Sequence, residues 1–282
     1  REQQFFSKDF RDGEKLIFIF GSSHVGQLNS TLINEKISQE FSEFLVFNLS
    51  YDGDTPSERI QSIDEIIRLN PKLVIYGVSY RDFQDITIEK QPLPDPKQLF
   101  SDFLTNNLND KKINPKLITL ENIRKSFSIG KVSVKSELNH TPFYNYFPNL
   151  MKISDDDELK KQKLDDIYHL QNPINVNVNT DEKQIGNFNL IIKKLQENNI
   201  DVIIFTTPLH QHAIEQIPLE TKANFLKILD KIKNANEIKI YDLSHKFVNN
   251  EIWSNIDHIA FNHKSKIYSE EIVKIILDEI KK

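Results

Sequence analysis

Hydrophobic residues are concentrated in five short runs that are continuous rather than alternating with polar residues. Continuous runs are typical of strands that are covered on both faces, as in a parallel sheet between two layers of helices. The runs occupy 15–20, 44–49, 73–76 together with Val78, 202–206 and 238–243. Each run predicts one β-strand of a buried sheet.

Amphipathic segments with helical spacing separate these runs. In 56–69, Ile60, Ile63 and Ile67 recur at the three- and four-residue spacing that places side chains on one helix face. Similar patterns occupy 185–198, 221–234 and 264–280. Strands that alternate with helices predict right-handed βαβ crossovers, and hence one α/β domain over 14–282 with a five-stranded parallel sheet.

The composition narrows the chemistry that is available. The 282 residues include no cysteine, which leaves serine, histidine and carboxylates as reactive groups. A net charge of -5 offers no basic surface for nucleic acid. No apolar run approaches the ~20 residues that a membrane-spanning helix needs. The sequence begins at Arg1 rather than Met, so we allow for a signal or anchor ahead of it and favour an extracytoplasmic or cell-surface location.

Polar segments follow the predicted strands. Gly21-Ser22-Ser23-His24 follows the first, a segment with Gly53 follows the second, Gly77-Val78-Ser79 follows the third, and His210 comes after the fourth. A fifth polar segment, 254–262, precedes the last predicted helix. Ligands of parallel α/β sheets bind beyond the carboxyl ends of the strands, so these segments are expected to converge at one site.

In order and placement, these segments resemble the sequence blocks of the SGNH (GDSL-like) hydrolase superfamily. Gly21-Ser22-Ser23 is similar to the serine block, Gly53 to the glycine block, Gly77-Val78-Ser79 to the asparagine block, and the segment around His258 to the histidine block. The resemblance extends from 15 to about 280, apart from a middle insertion. It implies a three-layer α/β/α, flavodoxin-like fold with strand order 2-1-3-4-5.

The resemblance also implies hydrolysis of a carboxylic ester through an acyl-enzyme, with no cofactor and no metal. Ser23 would attack the carbonyl, His258 would take its proton, and Asn255 would orient the imidazole. The backbone N–H groups of Ser23 and Gly53, together with Ser79, would stabilise the oxyanion.

Two positions depart from the family pattern. Ser79 stands where the family usually has asparagine, and Asn255 stands where it has aspartate three residues before the histidine. Asp257, directly before His258, is badly placed for an ordinary triad. An engineered change, a natural Ser-His dyad and a weakened enzyme all fit this pattern. A second register, reading from Asp257 to Ala260, would place alanine at the catalytic position and indicate an inactive protein.

Each of these residues also has a simpler interpretation. Ser22 and Ser23 are good helix N-caps, and Gly53 could be an ordinary turn glycine. His24 and His210, with His212, fit rim or structural histidines better than zinc ligands. Trp253 could pack beneath the histidine segment or contact substrate.

Residues 84–182 separate the third and fourth strands by far more than an ordinary crossover. We interpret them as a cap insertion over the carboxyl edge of the sheet. Its aromatic cluster makes Phe143 and Tyr144 candidates for contact with substrate, and so are four residues near the strand ends, namely His24, Arg81, His210 and Trp253.

The sequence therefore predicts a serine esterase or O-acyl (acetyl) hydrolase. Its substrate would be a small-molecule or polysaccharide-linked ester, and a carbohydrate or cell-surface polymer fits an enzyme of this kind. O-acyl transfer by the same residues is one alternative. A non-catalytic binding module on a degenerate SGNH scaffold is the other, since Ser79 and Asn255 depart from the family pattern.

Overall fold

All five predicted strands are present in the computed structural model, which describes residues 5–84, 150–168 and 182–282. The strands pair in parallel in the order β2-β1-β3-β4-β5, which confirms the predicted topology. Ile17 of β1 lies opposite Val46 on one side and Leu73 on the other. In chain order the strands are β1 (Lys15–Phe20), β2 (Phe44–Asn48), β3 (Leu73–Val78), β4 (Asp201–Thr206) and β5 (Lys239–Asp242).

The described helices alternate with these strands. They are α1 (Ser23–Gly26), α2 (Ser30–Glu40), α3 (Pro56–Arg59), α4 (Ile63–Arg68), α5 (Asp156–Lys160), α6 (Leu164–Tyr168), α7 (Glu182–Glu197), α8 (Gln211–Gln216), α9 (Leu219–Asn236) and α10 (Lys266–Ile280). Short 3-10 turns cover Ile60–Ser62, Tyr80–Phe83 and His263–Ser265. The predicted single helix over 56–69 is therefore divided into α3, a 3-10 turn and α4.

Two groups of helices cover the sheet. Helix α10 packs against α2, and α7 packs against α3, α4 and α9. The central strands are buried on both faces, and every residue of β3 is buried. This burial accounts for the continuous apolar runs in the sequence.

The predicted cap falls mostly on residues 85–149 and 169–181, which lie outside the described residues. The insertion at 84–182 and the single domain over 14–282 therefore remain predictions. Within the described ranges, no helix combines the length and the apolar character needed to cross a membrane.

Candidate active site

Gly21 makes the turn that carries the chain from β1 into α1. Its φ is +141°, a backbone conformation that side chains disfavour. A Cβ atom at this position would lie 2.8 Å from the carbonyl oxygen of Gly77 in the neighbouring strand. The carbonyl of Ser22 then accepts from the N–H groups of Val25 and Gly26 at 3.0 and 3.1 Å, which starts α1 directly behind the strand. Ser23 is consequently held at the carboxyl edge of the sheet.

Ser23 and His258 are brought together from opposite ends of the chain. The Ser23 Oγ atom lies 2.8 Å from His258 Nε2, although the two residues are 235 positions apart. Both are buried, with exposed fractions of 2% and 8%. A hydroxyl that donates to a neutral imidazole nitrogen at this distance is the arrangement required for general-base activation of a serine.

A tight turn over 254–258 presents the His258 ring. An antiparallel bridge between Trp253 and Ile259 closes the turn at its base. Within the turn, Asn255 Oδ1 accepts from the backbone N–H groups of Asp257 and His258 at 2.9 and 2.7 Å. The same oxygen lies 3.2 Å from His258 Nδ1. Asn255 therefore holds the turn in place through its two shorter hydrogen bonds, which go to the backbone. Its longest contact is the one to the His258 ring.

The carboxylate of Asp257 also lies near the imidazole, although the hydrogen bond of His258 Nδ1 is to Asn255. Asp257 Oδ2 lies 3.3 Å from His258 Nδ1, nearly the same distance as the oxygen of Asn255. Asp257 can lie this close to the ring of the next residue because the turn folds its side chain back toward the imidazole. Sequence spacing pointed to Asn255 alone.

His24 is part of this cluster rather than the rim. Its Nε2 lies 2.8 Å from Asp257 Oδ1, and its Nδ1 lies 2.9 Å from Ser22 Oγ. Its ring stacks on that of His258 with 4.6 Å between centroids and 3° between planes. The Ser22 side chain makes no N-cap bond to α1, so it contacts His24 instead of capping the helix.

The pKa values of the two stacked imidazole rings are shifted in opposite directions. Burial lowers the pKa of His258 to about 4; Asp257 opposes this effect, and the charges of His24 and Arg81 add to it. Burial acts in the same direction on His24, but the charge and contact of Asp257, together with the charge of Asp82, raise the pKa of the His24 imidazole. His258 is therefore neutral above about pH 4, the state in which it can accept a proton.

The loops that follow β2 and β3 border this site. The Tyr51 N–H donates to Gly21 O at 3.2 Å, which connects the loop after β2 to the turn between β1 and α1. Two residues further along, Gly53 has a φ of +71° and is half-buried. Ser79, directly after β3, is buried, and its N–H donates to Asp82 Oδ2 at 2.5 Å. The oxyanion roles of Gly53 and Ser79 remain predictions.

A buried ion pair stabilises the loop that follows β2. Arg59 Nε donates to Asp54 Oδ2 at 3.0 Å, and Nη2 donates to that oxygen and, at 2.8 Å, to Leu49 O. The guanidinium carbon also lies 4.6 Å from the centre of the Phe20 ring and 4.8 Å from that of Tyr51. Arg59 thus joins the end of β1 to the loop that holds Gly53.

Two of the other candidate residues support the turn over 254–258. Trp253 is 1% exposed, and its Nε1–H donates to Phe247 O at 3.1 Å, so the indole packs in the interior and does not face a substrate. His210 packs against it with 5.6 Å between ring centres, and the His210 N–H donates to Ile256 O at 3.1 Å.

The remaining candidates differ in how far the structure locates them. Arg81 is half-buried in the 3-10 turn after β3, and its charge acts on both stacked histidines. Phe143 and Tyr144 lie outside the described residues. The alternative register is not supported by the geometry, since Ala260 is buried and its N–H donates to Ile252 O at 2.7 Å, while His258 contacts Ser23.

In the part of the chain that the structure describes, one group of three possible metal ligands occurs: His24, Asp257 and His258. Their ligand atoms lie within 4.8 Å of one another. The two rings are parallel, however, so their in-plane lone pairs run side by side and do not converge on one ion. The Ser23 hydroxyl also occupies His258 Nε2. The arrangement fits proton transfer better than metal binding.

No protein-family model matches the sequence, and no curated protein matches it either. Solved structures do match. A protein from Bacteroides fragilis that is described as an acylhydrolase is 12% identical to this chain, with a TM-score of 0.50. The match covers 99% of this chain and 95% of that one. A lipase/acylhydrolase from Enterococcus faecalis is 13% identical with a TM-score of 0.50, covering 95% of both chains.

A GDSL-like lipase from Bacteroides thetaiotaomicron is also similar, with 10% identity, a TM-score of 0.47, and coverage of 99% of this chain and 95% of that one. The chain has the α/β/α fold of the SGNH hydrolases, with the strand order that this fold implies. At these identities the likeness concerns the fold, and the activity has to be argued from the site.

Proposed function

We propose that the protein is a serine hydrolase of carboxylic esters. The observation that carries the proposal is the 2.8 Å contact between Ser23 Oγ and His258 Nε2 at the carboxyl edge of the sheet. Ser23 attacks the ester carbonyl while His258 takes the hydroxyl proton. The alcohol then leaves with that proton, and water activated by the same imidazole releases the acid.

The supports of His258 complete the machinery. Asn255 fixes the turn and contacts Nδ1, while the buried carboxylate of Asp257 stabilises the imidazolium that forms during attack. The N–H groups of Ser23 and Gly53, with Ser79, are the proposed donors to the oxyanion. Removing one such donor typically costs ~10²–10³ in rate.

The test is hydrolysis of p-nitrophenyl acetate by the wild type and two serine variants. Ser23→Ala should abolish turnover, because it removes the attacking oxygen. Ser38→Ala, at an exposed serine on α2, should leave turnover unchanged. Equal activity in the wild type and Ser23→Ala would exclude Ser23 as the nucleophile.

Acyl transfer to an alcohol is the second candidate. The burial of Ser23 and His258 favours it, because a buried acyl-enzyme is shielded from bulk water. Adding a sugar or glycerol acceptor to the assay separates the two functions: a hydrolase releases free acid at an undiminished rate, whereas a transferase forms the new ester at the expense of the acid.

A further inference from the structure

Two Ser–His pairs lie side by side at the carboxyl edge of the sheet. Ser23 contacts His258 at 2.8 Å, and Ser22 contacts His24 at 2.9 Å. The rings stack nearly parallel, at 4.6 Å between centroids. Two imidazolium ions at this distance would repel each other strongly in a buried site, so the stacked pair can hold one positive charge at a time.

The Asp257 carboxylate lies near both rings but is closer to one of them. Asp257 is fully buried, and its Oδ1 lies 2.8 Å from His24 Nε2, whereas its Oδ2 lies 3.3 Å from His258 Nδ1. Charge-assisted contacts are favoured at the shorter distance. The negative charge therefore stabilises a proton on His24 more than one on His258.

The remaining ring nitrogens lead to the same assignment. His24 Nε2 lies 2.8 Å from Asp257 Oδ1 and Nδ1 lies 2.9 Å from Ser22 Oγ, so a doubly protonated His24 has an oxygen close to each ring nitrogen. His258 Nε2, by contrast, faces the hydroxyl of Ser23 and must be unprotonated to accept its proton. A neutral His258 beside a cationic His24 is thus consistent with the oxygen that lies near each of the four ring nitrogens.

We propose that His24 is a positioning residue of this site: as an imidazolium paired with Asp257 and stacked on His258, it holds the resting charge and keeps the general base neutral. This inference rests on the proposed function for its catalytic meaning, although the charge assignment can be measured without it. In this account His24 contacts neither the Ser23 hydroxyl nor the acyl group, and it acts through Asp257 and His258.

Other charged groups face the pair. Asp82, in the 3-10 turn after β3, favours the charge on His24, while Arg81 opposes a charge on either ring. Burial, His24 and Arg81 lower the pKa of His258 against the opposing effect of Asp257, whereas Asp257 and Asp82 raise that of His24 against burial. These directions agree with the geometric assignment.

The test is a titration of the histidine side-chain nitrogens by NMR in the wild type and in His24→Phe. Phenylalanine keeps a flat ring against His258 but cannot hold a proton, which leaves Asp257 to His258 alone. In the wild type, His24 should titrate at a higher pH than His258. In His24→Phe, the midpoint of His258 should rise by more than one pH unit, while His263→Phe, at an exposed histidine, should not change it.

The inference is overturned if His258 titrates above His24 in the wild type, a result that needs no variant to fold. It is equally overturned if a folded His24→Phe leaves the His258 midpoint unchanged. If the expected order is seen but Ser23→Ala has no effect on ester hydrolysis, the proposed function fails and the charge assignment stands. Ser23-dependent hydrolysis with the reverse order refutes only this inference.

Discussion

Replacing Asp257 by asparagine should have a much smaller effect on turnover than the loss of a triad aspartate normally has. Asparagine preserves the shape of the buried side chain but removes its charge. In an ordinary Ser-His-Asp triad this substitution lowers kcat by about 10⁴. The difference expected here arises because Asp257 contacts two histidines instead of one.

The magnitude follows from two distances. With an effective dielectric constant of about 20, a carboxylate 3.3 Å from His258 Nδ1 stabilises the imidazolium by about 5 kcal/mol. A cationic His24 at 4.6 Å destabilises it by about 4 kcal/mol. Asp257→Asn removes the attraction, and His24, which loses its partner, gives up the repelling proton. The net loss is about 1 kcal/mol, or roughly a five- to tenfold decrease in kcat.

The assay is steady-state hydrolysis of p-nitrophenyl acetate at pH 7, with active sites counted by burst titration so that unfolded protein does not contribute. Circular dichroism should show that Asp257→Asn is folded. A decrease of 10³ or more would refute the reasoning, because it would mean that Asp257 serves His258 alone and that His24 is neutral at rest.

Three further outcomes are expected. Arg59→Met should lower the free energy of unfolding in urea by about 3–5 kcal/mol, because it leaves the Asp54 carboxylate buried without its cation. A loss of less than about 1 kcal/mol would contradict this prediction. Gly21→Ala should lower the free energy of unfolding by about 2–4 kcal/mol and also reduce kcat. The reason is that φ is +141° and that the new Cβ atom would lie 2.8 Å from Gly77 O. An unchanged unfolding midpoint would contradict this prediction. In the wild type, kcat/KM should rise through about pH 4 and be level by pH 6, because His258 loses its proton there, whereas a midpoint near 6.5 would show an unperturbed base.

The sheet could be predicted closely from the sequence because its strands are buried on both faces. Continuous apolar runs locate such strands to within a residue or two, as β1 (Lys15–Phe20) shows. The prediction of one continuous helix over 56–69 is less accurate. Its isoleucine spacing is helical, yet Ser62 adopts φ -103° and ψ 2° and interrupts the helix between α3 and α4. Apolar periodicity reports which face is buried and does not register such a break.

The proximity of Ser23 and His258 could be predicted because the position of each residue along the chain fixes its place in the fold. Ser23 follows β1 and His258 precedes α10, and the parallel topology brings both to one edge of the sheet. The contact between His24 and Asp257 depends instead on how the 254–258 turn folds back, which no spacing rule encodes. One signal was nevertheless available: each is the sequence neighbour of a predicted catalytic residue, Ser23 or His258.

The central claim is that Ser23 is a nucleophile activated by His258. Mass spectrometry of the protein after treatment with a fluorophosphonate tests it most directly, because the reagent requires an activated serine. The account predicts one adduct, mapped to the peptide that contains Ser23, and its loss in both Ser23→Ala and His258→Ala. A folded wild type that stays unlabelled, or an adduct that persists in Ser23→Ala, would contradict the account.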